Sequence, residues 1–260
     1  MTYSEEEFRK LKAEKERMDA ELRMASQIQL SMLPLGRKTL EDVDIFGSLV
    51  PAREMGGDLF DYGVQDGKLF FCIGDVCGKG APAAMLMAYA HAHLVELTLH
   101  DEHPASIVKT MNMFASYENM SCTFFTLFYG ALDLETGRLQ YCNAAHNPPY
   151  ILGDSLQKLD CDPNQPIGPI EDAEFSLQEI TVSPGSTIFL YTDGLTEAKN
   201  SADEEFGFER TEAALKDCME RRLNPEETIK TVTEAMHHFT EHAEQSDDLT
   251  MVAVHYKPNR

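Results

Sequence analysis

Residues 69–80 read Leu-Phe-Phe-Cys-Ile-Gly-Asp-Val-Cys-Gly-Lys-Gly, an apolar run that leads into an aspartate and a glycine-rich turn. The β-prone residues before Asp75 predict a buried strand. A carboxylate at the end of such a strand is held on a rigid element, and glycine beside it lets another group approach closely. This stretch therefore predicts a sheet that carries a functional carboxylate at its edge.

Other aspartates occur in the same kind of setting. Each is accompanied by glycine or by small residues, and they are Asp58, Asp193, Asp247 and Asp248. Apolar runs adjoin two of these segments, at residues 187–191 and 249–254. Several carboxylates brought together would repel one another unless a hard divalent cation lay between them. The pattern predicts a metal site for phosphate chemistry, although an aspartate before glycine, such as Asp193, is also a common turn former.

The composition limits the possible partners. Among 260 residues, 44 are acidic and 22 are basic, which gives a formal net charge of -22. Nucleic acid requires a basic face, so a nucleic-acid partner is not expected, whereas cations or a basic protein partner suit this charge. A hydrophobic fraction of 43% is sufficient for a packed core.

The six cysteines favour a cytoplasmic location. They form no C-x-x-C pair and several lie inside apolar runs, as expected for a reducing compartment. No stretch is long and apolar enough to span a bilayer, and the N-terminus has no signal-peptide core. A membrane sensor, if one is involved, is expected to lie outside these residues.

Residues 4–33 are predicted to form one long charged helix. Leu11, Met18, Ala25 and Met32 recur every seven residues, as in a coiled coil. Lys15 and Gln29 occupy positions where a strong coiled coil would have leucine. Two interpretations stay open: a weakly dimerising helix, and a helix that lies on its own domain. The predicted domains are residues 1–34, a regulatory or linker helix, and residues 35–260.

The remainder alternates between strands and pairs of helices. Strands are predicted at 43–50, 59–64, 68–76, 123–132, 139–143, 150–152, 174–182, 187–191 and 249–256. Helices are predicted at 81–99 and 104–119, and at 208–222 and 225–242. This order predicts an α+β fold with antiparallel sheets covered by helices. Residues 153–171, with several prolines, are predicted to form a surface loop.

Five motifs, in order along the chain, resemble those of a known family. Residues 51–62 (Pro-Ala-Arg-Glu-Met-Gly-Gly-Asp-Leu-Phe-Asp-Tyr) and 73–84 (Ile-Gly-Asp-Val-Cys-Gly-Lys-Gly-Ala-Pro-Ala-Ala) resemble the first two signatures of SpoIIE-type serine/threonine phosphatases. These are the bacterial branch of the metal-dependent protein phosphatase 2C-like (PPM) family. Residues 143–149 (Asn-Ala-Ala-His-Asn-Pro-Pro), 190–198 (Leu-Tyr-Thr-Asp-Gly-Leu-Thr-Glu-Ala) and 246–250 (Ser-Asp-Asp-Leu-Thr) resemble the others.

The resemblance implies an αββα sandwich, with two antiparallel sheets flanked by helix pairs and preceded by the long N-terminal helix. It also implies two Mn²⁺ or Mg²⁺ ions in a cleft at one edge. Carried over by position, Asp75 would bridge both ions, and Asp58 with the carbonyl of Val76 would bind one of them. Asp193 and Asp247 would bind the other. The double aspartate leaves Asp248 as the alternative to Asp247.

Three further residues have open roles. Arg53 lies five residues before Asp58, the spacing of the phosphate-binding arginine in the wider family, and a structural ion pair is the alternative. Lys79 between two glycines invites a phosphate-loop interpretation, but the full Walker spacing is missing and a structural contact is favoured. His146 is a candidate general acid, with a hydrogen-bonded structural histidine as the favoured alternative.

The resemblance implies hydrolysis of phosphoserine or phosphothreonine by a metal-activated water. The implied substrate is a phosphorylated bacterial signalling protein, such as an anti-sigma-factor antagonist. A catalytically weak partner-binding module of the same fold is the alternative, and a phosphohydrolase of small phosphate esters is a third. An upstream sensor or activator is expected to act through residues 4–33, and a homodimer is the partner expected if this helix is the dimerising one. Deletion of residues 1–30 is then expected to change the activity or its metal requirement.

Overall fold

Two antiparallel sheets lie face to face at the centre of the structure. The structure is a computed structural model that describes residues 5–100, 103–117, 123–241 and 243–258. Helices cover the outer faces of the two sheets, and a long helix precedes the first strand. The predicted α+β class and αββα arrangement are confirmed.

The helices are α1 (Glu5–Met32), α2 (Ala81–His100), α3 (Pro104–Ser116), α4 (Asp193–Thr196), α5 (Gly207–Arg221) and α6 (Pro225–Thr240). The strands are β1 (Gly36–Thr39), β2 (Val43–Val50), β3 (Leu59–Gln65), β4 (Lys68–Val76), β5 (Phe125–Asp133), β6 (Arg138–Ala144), β7 (Tyr150–Leu152), β8 (Leu156–Lys158), β9 (Gln178–Thr181), β10 (Thr187–Tyr191) and β11 (Leu249–Tyr256). One sheet has the order β1-β2-β11-β10-β7-β8, and the other has the order β3-β4-β5-β6-β9.

Strands buried on both faces explain the continuous apolar runs of the sequence. In β10, Ile188 and Leu190 belong to the core between the two sheets, while Phe189 and Tyr191 pack in the core under α5 and α6. Successive side chains of a strand point to opposite faces, so a strand between a sheet and a helix layer must be apolar at every position. On the other side of the sandwich, α2 and α3 cover the β3–β9 sheet.

Helix α1 lies largely away from the rest of the domain. Its buried residue is Gln29, and its large apolar side chains are mostly exposed, among them Leu11, Met18 and Met32. The interpretation of a helix laid along its own domain is therefore wrong for most of α1. None of the helices in the described residues is long and apolar enough to cross a membrane.

The structure corrects several predicted boundaries. Residues 174–177 were predicted as strand, but β9 begins at Gln178. The predicted loop at 153–171 contains the short strand β8, which pairs with β7. Strand β1 and helix α4 were not predicted, since four residues carry too little periodicity to be recognised. Parts of the predicted helices 104–119 and 225–242 lie outside the described residues, at 118–119 and at 242.

Candidate metal centre

The predicted metal ligands lie where strands of both sheets end. Asp58 immediately precedes β3, and Asp75 is the second-last residue of β4. Asp193 is the first residue of α4, and Asp247 lies two residues before β11. The negative charges of Asp193 and Asp247 act on Asp75, and the charge of Asp75 acts on Asp58. The fold thus brings four carboxylates from distant parts of the sequence into one cluster.

Asp58 is anchored by hydroxyl groups of the opposite sheet. Its Oδ2 accepts hydrogen bonds from Thr192 Oγ1 at 2.8 Å and from Thr250 Oγ1 at 2.5 Å. Burial raises the pKa of Asp58 well above its usual value, the charge of Asp75 raises it further, and the two hydroxyl donors oppose the rise. Sequence reasoning missed both threonines, although each lies inside a quoted motif.

Asp75 lies between the other carboxylates. Burial, followed by the charges of Asp193 and Asp247, raises the pKa of Asp75 to about 7. Burial and then the charge of Asp247 also raise the pKa of Asp193, while the backbone N–H of Gly194 lowers it. Burial and mutual repulsion both disfavour the charged forms of these aspartates, and a hard divalent cation would offset the repulsion.

The two neighbouring aspartates, Asp247 and Asp248, have different roles. Asp248 accepts backbone hydrogen bonds on both oxygens, from Ala52 N to Oδ1 at 2.8 Å and from Gly57 N to Oδ2 at 2.7 Å. Asp247 instead accepts a hydrogen bond from Lys79 Nζ on Oδ2 at 2.8 Å. Because Asp248 already holds the segment before Asp58, this geometry favours Asp247 as the candidate ligand.

The donor set fits a divalent ion by its chemistry. All of its members are oxygen donors, as Mg²⁺ and Mn²⁺ prefer. The carbonyl of Val76 lies against Gly57, where a Cβ atom would stand only 2.7 Å from its oxygen. Within the described ranges, no three aspartate, glutamate, histidine or cysteine side chains are already gathered closely enough to hold one ion. Because Lys79 already contacts Asp247 Oδ2, an ion would compete with Lys79 for that oxygen atom.

Arg53 is exposed, five residues before Asp58, in the segment that Asp248 holds. No ion pair or hydrogen bond joins its guanidinium to another residue in the part of the chain that the structure describes. The alternative of a structural ion pair is not observed among the described residues.

His146 borders the cluster. It helps to line a cavity of about 60 Å³ together with Asp75, Thr126 and Asp193. Its Nδ1 is 2.7 Å from Thr126 Oγ1, while its buried Nε2 has no hydrogen-bond partner among the described residues. A larger cavity of about 480 Å³ near Gly185 has a single carboxylate, that of Asp154, and is a weaker candidate site.

Burial lowers the pKa of His146 to about 4. The unfolded chain takes up a proton on this histidine near pH 6.5, whereas the folded chain stays neutral until about pH 4. The folded state therefore loses stability as the pH falls through this interval, by up to about 3 kcal/mol from this residue. We expect the free energy of unfolding to decrease less between pH 7 and pH 4.5 in His146→Gln than in the unmodified chain. Urea unfolding at the two pH values measures this decrease. An equal decrease in the variant and in the unmodified chain would contradict the prediction.

Known proteins resemble this chain over most of its length. The chain is 29% identical to Protein IcfG of Synechocystis sp. (strain PCC 6803), in an alignment that covers 90% of the chain and 41% of IcfG. It is 24% identical to the phosphoserine phosphatase RsbU of Bacillus subtilis, covering 97% of the chain and 75% of RsbU. The chain thus spans less than half of IcfG.

Solved structures share the fold. The SiaA-PP2C domain of Pseudomonas aeruginosa superimposes with a TM-score of 0.81 at 24% identity, covering 94% of this chain and 99% of that domain. The catalytic domain of the serine threonine protein phosphatase PstP, in complex with two manganese ions, gives a TM-score of 0.61 at 14% identity. That alignment covers 83% of this chain and 99% of the PstP domain. The fold is therefore that of the PP2C phosphatases.

The chain belongs to the SpoIIE family. The model of the family described as Stage II sporulation protein E (SpoIIE) matches residues 65–257, which are 193 of the 260 residues. The match includes Asp75, Asp193 and Asp247 but begins after Arg53 and Asp58. Assignment of those two residues therefore rests on the motif at 51–62 and on the contacts of that segment with Asp248, Thr192 and Thr250.

Proposed function

We propose that this chain is a metal-dependent protein phosphatase that hydrolyses phosphoserine or phosphothreonine on a bacterial signalling protein. The observation that carries the proposal is the carboxylate cluster, in which Asp75 interacts with the Asp58 side chain and feels the charges of Asp193 and Asp247. Membership of the SpoIIE family and the PP2C fold support the same class of reaction. The name of RsbU, a phosphoserine phosphatase, supports the choice of phosphorylated residue.

Each site residue has a role in this proposal. Two bound Mn²⁺ or Mg²⁺ ions would supply a hydroxide near neutral pH and neutralise charge on the phosphoryl oxygens. Asp75 would bridge the ions, Asp58 and the Val76 carbonyl would hold one, and Asp193 and Asp247 would hold the other. Thr192 and Thr250 orient the Asp58 carboxylate.

Arg53 would bind the phosphate of the substrate. Arg53 is exposed and lies five residues before Asp58, and an arginine side chain can bind two phosphate oxygens at once. A phosphorylated anti-sigma-factor antagonist is the substrate class that the family resemblance suggests. A cytoplasmic location, an activator or sensor that acts through α1, and pairing of two α1 helices along their exposed apolar positions complete the proposal.

Phosphate release tests the proposed function. Phosphoserine and phosphothreonine peptides are compared with a nucleotide and with p-nitrophenyl phosphate, in Mn²⁺, in Mg²⁺ and in EDTA. We expect metal-dependent release from the peptides and none in EDTA. Preference for the nucleotide would contradict a protein substrate and favour a phosphohydrolase of small esters.

One observation favours the second candidate function, a partner-binding module with weak catalysis. Lys79 Nζ contacts Asp247 Oδ2 at 2.8 Å and the carbonyl oxygen of Ser246 at 2.6 Å, so a protein cation already neutralises a candidate ligand. Lys79 lies between Gly78 and Gly80, both with positive φ, at the turn from β4 into α2. Movement of this turn would release Asp247.

The Lys79 contact predicts the effect of its removal on metal binding. Lys79→Gln removes a positive charge that competes with a metal ion for Asp247. We therefore expect Mn²⁺ to bind roughly threefold to tenfold more tightly at the site that includes Asp247. Isothermal titration calorimetry measures this. Lys230→Gln, on the exposed surface of α6, is the matched control and is expected to bind as the unmodified chain does. Weaker binding by Lys79→Gln would contradict the prediction.

A further inference from the structure

We propose that Gln29, near the end of α1, is a positioning residue for Asp58. This inference rests on the proposed function and adds to it a contact that fixes one candidate metal ligand. Gln29 is the buried residue of the 28-residue helix α1, with 6% of its surface exposed. A long polar side chain is buried only where its polar atoms are bound.

Gln29 binds both polar groups of a single backbone residue. Its Nε2 donates to the carbonyl oxygen of Gly56 at 2.6 Å, and its Oε1 accepts from the N–H of Gly56 at 3.3 Å. Gly56 is two residues before Asp58. A reciprocal pair of this kind fixes both the position and the orientation of the peptide groups around Gly56.

The same segment is held from its other side. The N–H of the next residue, Gly57, donates to Asp248, and a Cβ atom on Gly56 would overlap the Asp248 carboxylate. Gly56 is therefore enclosed between Gln29 of α1 and Asp248 before β11. Loss of either partner would leave the segment that leads into Asp58 held on one side alone.

A second contact joins the segment that follows α1 to a residue later in the sequence than Asp58. The hydroxyl of Tyr62 in β3 donates to the carbonyl of Pro34 at 3.0 Å, and Leu33 is part of the core. The end of α1 thus meets the chain at Gly56 and at Tyr62, on both sides of Asp58. Displacement of α1 would therefore move the backbone that flanks Asp58.

The test uses Gln29→Met, which keeps the length and approximate volume of the side chain but removes both polar atoms. Gln27→Met, two residues earlier on an exposed position of the same helix, is the matched control. Hydrogen exchange measured by mass spectrometry on the full chain reports the backbone of residues 52–58. We expect at least tenfold faster exchange there in Gln29→Met and no change in Gln27→Met. Equal exchange in the two variants would overturn the proposal.

Metal binding separates positioning from a general loss of stability. We expect Gln29→Met to bind Mn²⁺ about tenfold more weakly by calorimetry at a temperature where circular dichroism shows it fully folded. Gln29→Glu keeps the acceptor for the Gly56 N–H but sets a carboxylate against the Gly56 carbonyl, so the same weakening is expected. Unchanged Mn²⁺ affinity in both Gln29 variants would overturn the proposal. If the unmodified chain bound no metal, the proposed function would fail, and the exchange result would decide the role of Gln29.

Discussion

Replacement of Asp75 by asparagine is expected to reduce phosphate release from a phosphoserine peptide by roughly a thousandfold. The amide keeps the shape of the side chain but removes the carboxylate that interacts with Asp58, Asp193 and Asp247. An amide oxygen carries no negative charge, so it would hold divalent cations much more weakly than a carboxylate does. The measurement is the initial rate of phosphate release in saturating Mn²⁺.

A stability measurement accompanies the activity measurement. Asp75 is partly buried among like charges, so its replacement by a neutral amide is expected to raise the thermal midpoint of the metal-free chain. Asp66→Asn is the matched control, because Asp66 lies in an exposed turn at positive φ, which asparagine also adopts readily. Activity of Asp75→Asn within threefold of the control would contradict the assigned role.

Gly194→Ala is expected to lower the free energy of unfolding by about 3 kcal/mol or more. A Cβ atom on Gly194 would overlap the backbone carbonyl oxygen of Asp248, and the next atoms are also backbone. Backbone cannot rotate away as a flexible side chain can, so α4 or the start of β11 would have to move. Urea unfolding of the metal-free chain measures the change.

Gly63→Ala is the matched control for this prediction. Gly63 lies on an exposed position of β3, and a Cβ atom there would meet nothing within 4 Å. Its free energy of unfolding is expected to stay within about 0.5 kcal/mol of the unmodified chain. Equal free energies of unfolding for the two variants would contradict the prediction that the close contact with Asp248 requires glycine at position 194.

The strands next to the site were predictable because their sequences are continuous apolar runs. Three strands that lead to or from the candidate site are buried on both faces, so each is an apolar run of strand length: β4 before Asp75, β10 before Asp193 and β11 after Asp248. The short elements β1, β8 and α4 were not predictable, because they depend on pairing and packing with distant residues.

The residues that hold Asp58 and the segment before it depend on tertiary contacts that no local sequence pattern reveals. Thr192 and Thr250 are ordinary strand-end residues until the fold places Asp58 between them. The sequence favoured Asp247 over Asp248 through the motif alone, and it could not reveal that Asp248 binds backbone donors almost two hundred residues away. Gln29 was interpreted as a defect in a coiled-coil seam, whereas the structure uses its polarity to bind Gly56.

The exposed length of α1 has a mechanical consequence. From Glu5 to Leu33 the helix axis extends about 42 Å, whereas Gln29 lies about 6 Å from the anchored Leu33. If a partner moved the Glu5 end of α1 sideways, Gln29 would therefore move about one seventh as far as Glu5. Metal coordination is sensitive to a few tenths of an ångström. A sideways shift of a few ångströms at the N-terminal end of α1 would therefore move Gln29 by a distance that is large enough to change metal coordination.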